Sequence, residues 1–264
     1  MSRLAKVGMA LHQSISFCPV MMRIPKAEAL FWPGCALLTL DAGICEKTLA
    51  FLKRKEPGIK LAAACCGHPS EYLFPHKFAK RIDRQSILLK HRGVERIYTA
   101  CPNCTVQLQT LEGIRIIPVW QIIAEGMETE ESDGLKRTDG KGALMWHDPC
   151  PTRSDERQQQ DVRIILKGCG YDVREPEHTG SHTMCCGNHG MLHITDPKRS
   201  VCIRQKRLEE FPPETVIVSS CEGCLGAFRK EGRRTLHLLE LLFGRSRKRG
   251  WGNRIKTTIF HVKK

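Results

Sequence analysis

Ten of the chain's 14 cysteines fall into two sets of five with the same internal order. Cys35, Cys65, Cys66, Cys101 and Cys104 form the first set; Cys150, Cys185, Cys186, Cys221 and Cys224 form the second. Each runs as a single cysteine, then Cys-Cys-Gly, then Cys-x-x-Cys. In both sets 33 residues separate the glycine (Gly67, Gly187) from the Cys-x-x-Cys, and the last four cysteines are offset by 120 positions. Only the first cysteine slips, with 29 residues between Cys35 and Cys65 against 34 between Cys150 and Cys185. A structural zinc takes four ligands, and a cubane [4Fe–4S] cluster takes four thiolates. Each half offers five, two of them adjacent. Neighbouring side chains on an extended chain point to opposite sides, so a Cys-Cys pair fits poorly around one small ion. It suits a larger or irregular cluster whose different irons take the two sulfurs. Gly67 and Gly187 allow a tight backbone turn against such a cluster. Pro33-Gly34 and Pro149 mark bends beside the first cysteine of each set.

The elements that must carry these cysteines show in the apolar patterning. IKLAAAC, RIYTAC, IRIIPVW, GALMW and TVIVSSC are short, continuous and aliphatic, which reads as buried parallel strands. FAKRIDRQSILLKHRG reads as a helix with Gly93 just past its end. Strands alternating with helices imply an α/β fold with mostly parallel sheets, whose chemistry collects at the carboxyl ends of the strands. Cys35, Cys101, Cys150 and Cys221 all fall there. The repetition predicts two similar domains related by pseudo-twofold symmetry. Their expected bounds are an N-terminal extension (1–28), a first domain (29–126), a linker (127–142), a second domain (143–244) and a basic tail (245–264). Trp120, Leu239 and Leu242 sit at or near matching repeat positions and read as core.

Composition narrows the class. The chain has 264 residues, enough for two domains, and its 41% apolar content can fill real cores. It carries no apolar run long enough to span a membrane and no secretory h-region, which predicts a cytoplasmic protein with peripheral membrane contact open to it. Thiols stay reduced there, so cysteines in this number point to metal rather than disulfides. The net charge is +14, and the last twenty residues hold eight Lys or Arg and no acid. That tail reads either as a solvated segment or as a contact for an acidic partner or anionic lipid. Nucleic acid is not expected, because no aromatic–basic interleaving accompanies the charge.

The motifs FWPGC, CCGHP, ACPNC, HDPC with Arg153, and CEGC together resemble the cysteine-rich CCG domain family over residues 29–243. That domain is duplicated in the disulfide-splitting subunit of heterodisulfide reductase, and related chains serve glycolate, lactate and anaerobic glycerol-3-phosphate oxidation. The resemblance implies that each five-cysteine set holds a [4Fe–4S] cluster of non-cubane type. It further implies that a disulfide is split between the two clusters, one electron to each sulfur. The runner-up reading is an electron-transfer subunit of a 2-hydroxy-acid or glycerol-3-phosphate dehydrogenase system passing electrons toward quinone; a zinc-stabilised scaffold is a weaker one. The sequence departs from the family in the short gap after Cys35, in Pro151 where many relatives have histidine, and in CCGNHG.

His68, His189 and Arg153 adjoin ligands and are the candidate catalytic groups, in an interdomain pocket; surface or supporting duty is their plainer reading. For His147 and Asp148, ahead of Cys150, ordering of the backbone and of the ligands is favoured over direct catalysis. Cys18, Cys45, Cys169 and Cys202 lie outside the repeat and read as non-ligands. The chain lacks a ferredoxin-type cysteine run, a dinucleotide-binding fingerprint and a P-loop. Electrons are therefore expected to come from or go to a partner subunit carrying ferredoxin-type clusters or flavin.

Overall fold

The computed structural model describes residues 3–128, 144–244 and 250–260. The chain divides into two compact units, residues 1–117 with 246–264, and residues 118–245. Most of the predicted linker lies outside the described residues.

The first unit runs α1 (Arg3–Ser16), β1 (Ala29–Trp32), α2 (Cys35–Leu40), α3 (Ala42–Leu52), β2 (Lys60–Leu61), α4 (His68–Leu73), α5 (Pro75–His91), β3 (Arg96–Thr99), α6 (Pro102–Leu108) and β4 (Arg115–Pro118). Its sheet has the order β2-β1-β3-β4, with β1 parallel to both β2 and β3. All four residues of β1 are buried, as a strand covered on both faces requires. Each such aliphatic or aromatic side chain contributes roughly 1.5–3 kcal/mol of burial. At the end of α5, Gly93 adopts φ +71°, the left-handed conformation its position past the helix predicted.

The second unit repeats the plan. It runs α7 (Val119–Glu128), β5 (Leu144–Trp146), α8 (Glu156–Gly168), β6 (Val173–Arg174), α9 (Leu192–Thr195), α10 (Pro197–Leu208), β7 (Val216–Ser219), α11 (Glu222–Lys230), β8 (Thr235–His237) and α12 (Leu238–Phe243). Its parallel sheet has the order β6-β5-β7-β8, so the two sheets share one topology. The registers also match. Trp32 pairs with Thr99 and Trp146 with Val218, which makes His147 the counterpart of Trp32 at the residue three before the first cysteine.

Several local readings differ from the structure. IRIIPVW is a strand only to Pro118; Val119 and Trp120 begin α7, which packs on α8 and so lies with the second unit. IKLAAAC is a strand for two residues only, and the buried chain from Ala62 to Cys66 runs on past the sheet edge. Trp120, Leu239 and Leu242 are core residues.

The basic C-terminal segment is not simply a solvated tail. Residues Trp251–Phe260 form α13, which packs on α2 and α3 and buries Arg254, Thr257 and Thr258. The N-terminal extension is equally integral. Its α1 lies on α4, and Gln13, Ser16, Met21, Met22 and Ile24 are buried.

Candidate metal centre

In the first unit Cys35 opens α2, Cys65 and Cys66 end the extended run after β2, and Cys101 caps α6, with Cys104 one turn in. The fold brings all five together. Cys104 Sγ lies 3.3 Å from Cys66 Sγ, Cys35 hydrogen-bonds Cys65, and Cys101 hydrogen-bonds Cys104. Gly34, at φ +88°, passes so close that a Cβ there would sit 2.9 Å from Cys101 Cβ and 3.3 Å from Cys104 Sγ. The predicted bend is thus a steric requirement of the cysteine nest.

The second set has the same arrangement. Cys150 Sγ is 4.0 Å from Cys185 Sγ, Cys185 hydrogen-bonds Cys186, and Cys224 bonds both Cys186 and Cys221. Gly67 and Gly187 adopt φ +89° and +86°, the turns expected of them, and each donates its N–H to the sulfur two residues earlier.

The electrostatics repeat as well. Hydrogen bonds from Cys35 and Cys66 hold Cys65 well below the usual thiol range against the opposing effect of burial, with Arg254 assisting. Hydrogen bonds from Cys150 and Cys186 do the same for Cys185, assisted by the N–H groups of His189 and Gly187. Cys35 and Cys150, the thiols donating to them, are pushed up. In each nest these hydrogen bonds favour the thiolate, the form that binds metal, at the first cysteine of the Cys-Cys pair.

Segments outside the repeat complete the first nest. Gln13 Nε2 lies 3.8 Å from Cys65 Sγ, and its Oε1 accepts from Ser70 Oγ at 2.6 Å. Arg254 donates to Ala63 O at 3.2 Å and to Ser16 Oγ at 2.8 Å. Neither residue carries a sequence signal, because neither lies in the repeat.

In the second unit the support comes from the HDP segment. Asp148 accepts from Trp146 Nε1 at 2.7 Å, Arg163 Nη2 at 2.9 Å and the Gly180 N–H at 2.8 Å. Burial acts to raise its pKa, but these bonds outweigh it and hold the carboxylate below its ordinary value. His147 is fully buried, and its nitrogen and the sulfurs of Cys186 and Cys224 all lie within 4.8 Å of one another. Burial, then Arg207, lowers its pKa to about 3, so the ring is neutral.

The three candidate catalytic residues have these surroundings. Arg153 donates through Nε and Nη2 to Thr183 O at 2.9 and 2.6 Å, bracing the loop two residues before Cys185. His68 opens α4, stacks edge-on to Tyr72 and lies 3.8 Å from Glu71. His189 is exposed, in a short 3-10 turn after Cys-Cys-Gly. Of the cysteines outside the two sets, Cys45 and Cys169 are buried at helices, Cys18 is half-buried and Cys202 is exposed on α10.

No helix among the described residues is long and apolar enough to cross a membrane. A probable membrane-anchored ferredoxin from Chromohalobacter salexigens is 28% identical over 111 residues, which cover 40% of this chain and only 16% of that protein. Solved structures of an aspartate racemase from Picrophilus torridus and a glutamate racemase from Campylobacter jejuni are each 11% identical. They cover 86% of this chain, and 98% and 82% of their own, at TM-scores of 0.37 and 0.34. Such scores bear on neither fold nor activity. The cysteine-rich domain model CCG matches twice, over residues 29–109 and 144–229, and each match takes in one complete five-cysteine set. The chain therefore belongs to the CCG cysteine-rich domain family, with two copies of its domain.

Proposed function

We propose that the chain is an iron–sulfur subunit of a redox complex, with a [4Fe–4S] cluster on each five-cysteine set. The observation that carries this reading is the convergence, twice over, of five cysteine sulfurs brought together by segments that follow the parallel strands. Five converging sulfurs exceed what one tetrahedral zinc takes. A bound cluster supplies one-electron redox chemistry. The chain's residues hold its ligands, exclude water at Cys65, Cys66 and Cys104, and offset thiolate charge through Arg254 and peptide N–H groups.

The activity we assign is disulfide reduction of the heterodisulfide reductase type. A disulfide takes two electrons and two protons and leaves as two thiols; two one-electron centres on one chain would supply the electrons without releasing a thiyl radical, and solvent would supply the protons. His68, His189 and Arg153 adjoin the ligands and are the basic groups to meet an anionic thiol compound. Electrons enter from a partner subunit carrying flavin or ferredoxin-type clusters.

A second reading, transfer of electrons toward quinone for a 2-hydroxy-acid or glycerol-3-phosphate dehydrogenase, draws on two observations. One is the likeness to a probable membrane-anchored ferredoxin. The other is the exposed row Leu4, Val7 and Leu11 on α1, a surface that lipid or a partner would cover.

Anaerobically purified protein should be brown and carry about eight iron atoms, four for each cluster. Cys186→Ser should remove about half of that iron, and Cys202→Ser none. Stoichiometric zinc without sulfide would overturn the cluster reading in favour of a zinc-stabilised scaffold. Adding a disulfide to the reduced protein should perturb both cluster spectra together. If the spectra ignore disulfides and respond to a quinone, the second reading replaces the first.

A further inference from the structure

His147 directly follows β5 in a buried run that continues to Pro149, and its place is fixed on every side. Its N–H donates to Val218 O at 2.8 Å, and its own carbonyl accepts from Ser219 Oγ at 2.8 Å. Its ring stands edge-on to Phe228 and Phe211, with centroids 5.0 and 6.3 Å away. Nδ1 faces Arg207, whose Nε and Nη2 lie at 3.3 and 3.2 Å. Arg207 is itself fully buried and anchored on Glu210 and His178 O.

A guanidinium only donates hydrogen bonds, so Nδ1 must accept, and the ring proton sits on Nε2. Nε2 is buried and has no partner among the described residues, and a nitrogen of the same ring lies within 4.8 Å of the sulfurs of Cys186 and Cys224. An N–H in that state costs about 1–3 kcal/mol unless something accepts it. Protonated at Nε2, the imidazole cannot ligate a metal there. Ligation through Nε2 would move the proton to Nδ1, directly against the N–H groups of Arg207. Arg207 thus selects donation over coordination.

The first unit puts a different ring at the same register. Trp32, the counterpart of His147, is fully buried in the core cluster that contains Cys66 and Cys104. Its indole Nε1 can only donate and likewise has no partner among the described residues. Two unlike residue types at equivalent positions thus each leave a buried N–H with no partner among the described residues.

We propose that His147 and Trp32 are matched N–H donors to the sulfurs of the two centres, acting on Cys186 or Cys224 and on Cys66 or Cys104. Rigid N–H···S bonds withdraw charge from thiolates and favour the reduced state of whatever metal they hold. The inference rests on metal occupying the two nests, and its test separates the two failures.

Iron and sulfide content decide the cluster reading first. In iron-loaded His147→Phe, iron should be retained, and one of two midpoint potentials should fall while the other holds. Trp32→Phe should move the other potential alone, and His147→Gln, which restores an N–H, should recover most of the first shift. If the protein holds zinc instead, cobalt substitution keeps the donor inference testable. The thiolate-to-cobalt charge-transfer band should then move to longer wavelength in His147→Phe. Potentials and bands unchanged in both Phe variants would overturn the inference. So would loss of all metal from the second set in folded His147→Phe. The unsubstituted protein gives an independent reading if the variants misfold. Pulsed EPR of the reduced iron form with 15N-labelled histidine should show a weak 15N coupling, whereas the large coupling of a directly bound nitrogen would overturn donation.

Discussion

Cys65 and Cys185 hold the same place in the repeat, and their surroundings show how one motif can be completed in two ways. Cys65 is 1% exposed, beneath Gln13 of α1 and near Arg254 of α13, so residues from both ends of the chain close its nest. Cys185 is half-buried and is served by its own loop, through the N–H groups of Gly187 and His189. Hydrogen bonds hold both thiols well below their ordinary range. Around Cys65 the Gly67 N–H is joined by a buried cation from far along the chain, whereas around Cys185 the Gly187 N–H is joined by that of His189. Completion by distant segments excludes water, whereas completion by a local loop leaves the sulfur within reach of solvent.

The difference is easiest to break at Arg254. Deleting residues 245–264 should degrade the first centre and spare the second, because α13 goes with the tail. Arg254→Met is the narrower form; it leaves Ala63 O and Ser16 Oγ unsatisfied, at roughly 2–3 kcal/mol. Iron content, EPR of the two centres and denaturant midpoints should show loss confined to one centre. Equal damage to both would erase the distinction between the nests.

The paired glycines sharpen the comparison. A Cβ on Gly67 would meet Ile82 Cδ1 at 3.0 Å, the end of a side chain that can move. A Cβ on Gly187 would come within 2.3 Å of Ser200 O, a backbone atom in α10. Both positions carry the left-handed penalty of about 1–2 kcal/mol for a non-glycine residue. Gly67→Ala should lose about that much stability, and Gly187→Ala clearly more, with displacement of α10. Thermal unfolding and iron retention of the two variants, side by side, check the ranking.

A smaller effect lies in acid. His237, whose counterpart at the 120-residue offset is Ile117, is buried, and burial lowers its pKa to about 4. The folded state therefore binds this proton less readily than the unfolded chain, whose ordinary value is about 6.5. Stability from the neutral ring is fully present above about pH 6.5 and is lost as pH falls toward about 4. Amide exchange should show β8 and α12 loosening over that window. His237→Asn, which keeps a capping side chain for the Leu239 N–H, should flatten the dependence. An unchanged slope would mean that other groups set it.

Much of the fold was legible without coordinates. The repeat, the parallel α/β plan, the five cysteines of each nest and the turns at Gly34, Gly67 and Gly187 follow from local rules. A buried strand must be continuously apolar, and a tight turn against a cysteine nest needs a residue without Cβ. Other features were set by packing between segments far apart in the chain. No periodicity in RSRKRGWGNRIKTTIF tells that Arg254 will lie buried beside Ala63 and Ser16, since a cation's burial depends on acceptors the fold alone brings to it. The equivalence of Trp32 and His147 is hidden for the same reason. The two residues differ in size and charge, yet strand register places them alike and leaves each with one buried N–H and no partner among the described residues. Sequence settled which residues could bind metal. Tertiary structure decided what surrounds each sulfur, because desolvation and hydrogen bonding are properties of neighbours in space.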